Sequence, residues 1–223
     1  MIFGESLRAA ASGGAADWLA SARTGEFGTV GGLVPAGYDS YVRVHAPPPT
    51  EHWWPLYRAL FEEVAEVGVR HTSTPDAAWY AIWEGHGFDS VNVQVAWREP
   101  PADDDERRER EGYRQQLREE NDRRTAEIRR GLGAVPRFDA PHRSYYLVTG
   151  SVADVGSVRY PSDDDWRNPD LWWPEDRSWF VATDVDCWAL YLGGTAEFVA
   201  EITADAGTPV EPVSLTDRVE PEV

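Results

Sequence analysis

The sequence predicts an α+β domain: a mostly antiparallel sheet with a few packed helices and one charged helical insertion. Three observations predict it. Residues 38–45, 79–84, 145–149 and 179–192 read as strands, being β-branched, aromatic or alternating. Residues 54–67 and 195–205 carry apolar side chains at helical spacing. Strands and helices follow one another irregularly, without the steady βαβ rhythm of a doubly wound sheet. At 223 residues the chain is long enough to bury a core of its own, and a single domain is expected.

Taken in order, residues 1–14 are small and Gly-rich and read as a loose arm, followed by a short helix at 15–22 that buries Trp18 and Leu19. Residues 23–37 form a Gly-rich loop, and a strand is expected at 38–45. In the helix at 54–67, Leu56, Leu60, Val64 and Val67 form the apolar stripe, with Phe61 beside it, and Gly68 reads as its stop. The aromatic run 79–84 reads as a buried strand, and 91–97 alternates with period two, which predicts another strand.

Residues 102–131 are almost entirely charged or polar. They read as an inserted solvated helix or a loop, with Tyr113, Leu117 and Ile128 as a thin apolar stripe. Residues 132–144 read as irregular, 145–149 as a strand and 150–158 as a short helix or turn. The Trp-rich stretch 168–178 reads as an approach loop to two strands within 179–192. Thr195 then caps a helix that buries Phe198 and Ile202. Residues 207–223 read as an extended acidic tail.

Composition narrows the function classes. The formal charge is -18, and every basic residue is Arg. An acidic chain repels phosphate backbones, which argues against nucleic acid and favours a basic protein or peptide as partner. A single cysteine, Cys187, excludes an internal disulfide and a multi-thiolate metal site. No signal peptide and no membrane-spanning run is apparent, so the expected location is the cytoplasm. Walker, dinucleotide and nucleophile-elbow patterns are lacking, and the five histidines show no spacing that sets two ligands on one helical face. No cofactor and no metal is expected.

The candidate ligand-binding residues are Trp83, Glu84, Trp172, Trp173, Asp184 and Asp186. Asp184 and Asp186, two apart in an extended run, point to one face and can share a proton or a ligand. The competing reading is a tight turn, where Asp bonds its own backbone. Glu84, at the end of another aromatic strand, is placed to join them. Trp172 and Trp173 are adjacent in what reads as a loop, so one ring can cover the core while the other faces a sugar, a peptide or a cation. A carbohydrate-binding reading requires both rings to be exposed.

Three runs carry a resemblance: His71-Thr-Ser-Thr-Pro-Asp-Ala-Ala-Trp-Tyr-Ala-Ile-Trp-Glu-Gly, the segment 138–149 with its Tyr-Tyr-Leu, and 168–194 with its Leu-Trp-Trp-Pro-x-Asp-Arg. Together they resemble a family of uncharacterised bacterial proteins of unknown function and similar length. The resemblance spans roughly residues 32 to 203 and implies no activity. The chain departs from the pattern in the charged stretch 102–131, which suggests an insertion, and in Asp184, where the family pattern has Glu. The leading expectation is a non-enzymatic domain that binds a protein or peptide, in one version an immunity-type protein that neutralises a basic toxin. The alternative is a small-molecule-binding protein or hydrolase with a carboxylate- and Trp-lined cleft.

Overall fold

The structure is a computed structural model that describes residues 3–23, 25–46, 53–140, 143–161, 165–185, 187–205 and 207–219, with Trp53 described in its backbone only. The elements in chain order are β1 (Arg8–Ala9), α1 (Leu19–Ala22), α2 (Val30–Leu33), β2 (Ser40–His45), α3 (Trp53–Arg70), β3 (Ala78–Trp83), α4 (Asp104–Leu132), β4 (Arg137–Ala140), β5 (Arg143–Gly150), β6 (Leu171–Pro174), β7 (Trp179–Ala182), β8 (Ala189–Gly194), α5 (Ala196–Asp205) and β9 (Val210–Pro212). Among the described residues the nine strands form one antiparallel sheet, in the order β1-β5-β3-β6-β7-β8-β2-β9, with β4 also on β5. The fold is therefore α+β, as the irregular alternation of elements predicts. One edge of β5 is shared: β4 covers Arg143 to Tyr146, and β1 covers Val148 and Thr149.

The sheet is buried on both faces, which explains why its central strands are near-continuous apolar runs rather than alternating ones. Successive residues face opposite sides. Tyr80, Trp172, Trp179, Val181, Leu190 and Leu192 join the core beneath α3 and α5, while Ala81, Trp173, Phe180 and Tyr191 join a second core with Leu19, Val30 and Leu33. Trp172 stacks on Tyr80 with ring centroids 5.9 Å apart, and Trp173 on Phe180 at 5.5 Å. The Trp-rich stretch is thus no approach loop. It is β6, paired to β3 and β7 in the middle of the sheet, with both indoles fully buried. Those buried indoles remove the carbohydrate-binding reading.

Other expectations are corrected by packing. The segment before residue 14 is not loose over its described part, because Phe3 and Leu7 are buried and β1 pairs with β5. Helix α3 runs through Gly68 to Arg70. Gly68 serves a close approach instead of a stop: an added Cβ would lie 2.7 Å from the Trp179 indole, whose Nε1 donates to the Gly68 carbonyl at 3.0 Å. Leu56, placed in the apolar stripe by spacing, is 54% exposed. Cys187 lies in the β7–β8 connection and not within a strand.

Residues 91–97 form no strand. They run extended along α4, where the Thr125 hydroxyl accepts from the Val91 N–H and Asn121 donates to the Val93 carbonyl. Side chains of a helix thus take backbone groups that a sheet ladder would otherwise take. The charged stretch is α4, capped by Asp103, whose carboxylate accepts from the Glu106 N–H at 2.8 Å. Tyr113 is half exposed, but Ile128 and Leu132 are buried and anchor the helix end to the core. Within 132–144, β4 adds a strand that the prolines had concealed. The described part of the tail folds back as β9 on β2. No helix among the described residues is long and apolar enough to cross a membrane.

Candidate functional site

A cleft of about 240 Å³ opens beside the ends of β3, β6, β7 and β8, on the α3 side of the sheet. The first turn of α3 contributes Trp54 and Tyr57, the turn after β3 contributes His86, and the segment leading into β6 contributes Tyr160, Arg167, Asn168 and Asp170. The β7–β8 connection closes it with Thr183, Asp184, Val185, Cys187 and Trp188.

Asp170 is the polar centre. It stands one residue before β6 and extends the ladder, its N–H donating to the Ala81 carbonyl at 3.0 Å and its carbonyl accepting from the Thr183 N–H at 2.8 Å. Its side chain is only 2% exposed. A carboxylate so placed must be met by donors. The Trp83 N–H donates to Oδ2 at 2.7 Å, and His86 Nε2 lies 2.9 Å from Oδ1 and 3.2 Å from Oδ2. Facing an acceptor-only carboxylate, Nε2 carries the proton, which fixes the orientation of the imidazole. Its ring centroid lies 5.0 Å from that of Tyr160.

Two phenols complete the polar lining. Thr183 donates its hydroxyl proton to the Ala189 carbonyl at 3.3 Å, which makes the Tyr57 hydroxyl, 3.3 Å from Thr183 Oγ1, the donor of that pair. The Tyr160 hydroxyl donates to the Asn168 carbonyl at 3.3 Å. Burial, then the neighbouring charge of Asp170, pushes the Tyr160 phenol well above its usual value; burial does the same to Tyr57. Both phenols stay protonated at neutral pH. The Arg167 guanidinium lies 5.1 Å from the Trp54 ring centroid and 6.0 Å from that of Tyr160. These ring faces therefore already receive one planar polar group.

Of the six residues expected from sequence, the five described ones do not converge. Asp184 lines the cleft, where Arg143 Nη2 holds its carboxylate at 2.7 and 2.8 Å. Trp83 acts through its backbone N–H, while its indole lies over Arg143 with 4.4 Å from Cζ to the centroid. Glu84 pairs with Arg137 of β4 at 2.8 Å and is not part of the lining. Trp172 and Trp173 are core residues on opposite faces of β6. Asp186 lies outside the described residues. Among the described residues no cluster of three His, Cys, Asp or Glu could hold a metal ion.

Asp170, His86, Tyr57 and Tyr160 escaped the sequence reading. The one signal available was Asp170 itself, an acid directly before a fully apolar Leu-Trp-Trp run. The sequence matches no family model, and comparisons with curated proteins and with solved structures found no match either.

Proposed function

We propose that the protein binds a small planar organic molecule in the cleft centred on Asp170 and His86. The reading rests on one observation: aromatic side chains from three separate segments surround a buried carboxylate and the histidine it orients in a cavity of about 240 Å³. Apolar walls with a few fixed polar groups are what a small-molecule site requires. The aromatic rings supply apolar walls, Arg167 supplies hydrogen-bond donors, and the two phenol oxygens, whose protons go to Thr183 and the Asn168 carbonyl, serve as acceptors. A cytoplasmic location and membership of the Leu-Trp-Trp-Pro-x-Asp-Arg family belong to the same proposal.

Cys187, the single cysteine, lines the cleft and provides a clean reporter. Its alkylation by N-ethylmaleimide is measured against a panel of indole, benzoate, nicotinamide and adenine. At least one member is expected to slow the reaction about tenfold at ten times its Kd. Replacing Trp188 by Ala is expected to remove that protection. A panel without effect on the alkylation rate overturns the reading.

A second reading, binding of a basic protein or peptide, is favoured by the formal charge of -18. Its signature is a complex whose affinity falls steeply between low and physiological salt. Salt-independent capture counts against electrostatic steering.

A further inference from the structure

A second, smaller cavity of about 50 Å³ is lined by Arg23, Arg143 and Asp184 and by the glycines Gly25, Gly28 and Gly32. Arg23 closes α1, and its Nη2 donates to the Gly32 carbonyl. Its Nε and Nη1 are buried and have no well-formed hydrogen bond among the described residues, although the Tyr145 hydroxyl lies beside the guanidinium as an acceptor. Arg143 is engaged with Asp184. Among the described residues that line the cavity, two guanidinium groups therefore share one carboxylate, which leaves one positive charge in excess.

The opposite wall is formed by glycine backbone. At Gly25 an added Cβ would lie 2.3 Å from the Gly31 carbonyl carbon, so the loop closes only without a side chain there. The Tyr145 hydroxyl lies beside Arg23 and offsets only part of the cost of burial, which pulls the guanidinium below its usual basicity. Water can satisfy the two spare N–H donors but cannot neutralise a buried charge. An anion does both, and a guanidinium edge matches a carboxylate in the plane.

We propose that the cavity between Arg23 and Arg143 is a binding site for one small monovalent anion, a halide or a one-carbon carboxylate. A cavity of about 50 Å³ exceeds the roughly 10–15 Å³ that a single water requires, which leaves room for a small anion. The inference does not rest on the ligand assigned to the larger cleft. Asp184, which lines both cavities, is the one side chain the two sites share.

The test is thermal unfolding of the full chain at constant ionic strength, with sodium gluconate replaced stepwise by sodium formate or sodium chloride. Gluconate is too large for the cavity. Wild type is expected to gain about 4 °C in Tm at an anion concentration tenfold above Kd. Arg23→Met is expected to show no such gain. A response to formate alone makes the occupant a carboxylate, and a response to chloride as well admits a halide. Equal Tm in all three salts, or the same gain in Arg23→Met, overturns the proposal. Calorimetric titration of wild type with formate and with chloride gives a second reading that needs no variant. One saturable site is expected, and heats matching gluconate in both titrations overturn the proposal.

Discussion

At the scale of single residues, the Asp of the Leu-Trp-Trp-Pro-x-Asp-Arg motif has a definite physical task. Asp176 stands between β6 and β7, where Ser73 donates to it from both N–H and hydroxyl at 2.6 and 2.7 Å, and Ser178 donates its N–H at 3.0 Å. Burial works against its ionisation, but these hydrogen bonds outweigh that and hold the carboxyl at about 2. A carboxyl depressed in the folded state stabilises above the unfolded pKa of about 3.9, and that contribution is lost as pH falls toward 2. Asp176 is largely exposed, so the gain, discounted for solvent screening, is about 1 kcal/mol. Urea unfolding of Asp176→Ala is expected to show this deficit at pH 7 and to converge on wild type near pH 2. A deficit that is unchanged at pH 2 would mean that packing, and not ionisation, is responsible. The next motif residue, Arg177, holds a left-handed φ of 58° and places its guanidinium 4.8 Å from the Trp18 ring centroid. The motif thus shapes the hairpin that joins the two middle strands.

At the scale of elements, helix propensity and tertiary contact pull in opposite directions along α3. Glycine inside a helix costs about 1 kcal/mol relative to alanine, which is why Gly68 reads as a stop. The structure keeps it because the Trp179 indole lies where a Cβ would stand. Gly68→Ala is therefore expected to destabilise by about 1–3 kcal/mol despite the propensity gain. Gly112, within α4, has nothing within 4 Å of its missing Cβ. Gly112→Ala is expected to stabilise by about 0.5–1 kcal/mol. Chemical denaturation of the two variants side by side reads the opposite signs, and equal signs would refute the contact argument. Helix α5 shows the case in which local and tertiary signals agree. Thr195 Oγ1 accepts from the Phe198 N–H at 3.2 Å, and Phe198 and Ile202 fill the core as their spacing predicts.

At the scale of the whole molecule, a sheet buried on both faces has edges that must be covered. The tail does this on one side: Val210, Glu211 and Pro212 pair with Val44, Arg43 and Val42, and Arg218 bridges back to Thr29. Removing residues 207–223 exposes the β2 edge. The truncated chain is expected to lose about 5 °C in Tm and to self-associate more than the full chain in size-exclusion chromatography with light scattering. An unchanged Tm with unchanged elution would show that the tail pairing contributes nothing. The α4 arm contrasts with this: its acids and arginines pair mostly with one another along the helix, and only its C-terminal end enters the core.

The α+β class, α3, α5 and most of the central strands are legible in the residues alone. Those features follow from periodicity and local capping, which act between residues close in the chain. The sequence also placed two strands within 179–192, which are β7 and β8. Which face each residue serves depends on strand pairing and packing. In sequence one of Trp172 and Trp173 is expected to cover the core and the other to be presented, yet β6 pairs on both sides and each ring goes into a different core. Residues 91–97 alternate like a strand, yet α4 rather than a strand takes their backbone groups. The candidate site was the least legible part. Asp170 and His86 are separated by more than eighty positions, and their pairing arises because β3 and β6 are neighbours. A carboxylate gains meaning from the donors around it, and strand pairing, a long-range property, is what brings those donors near.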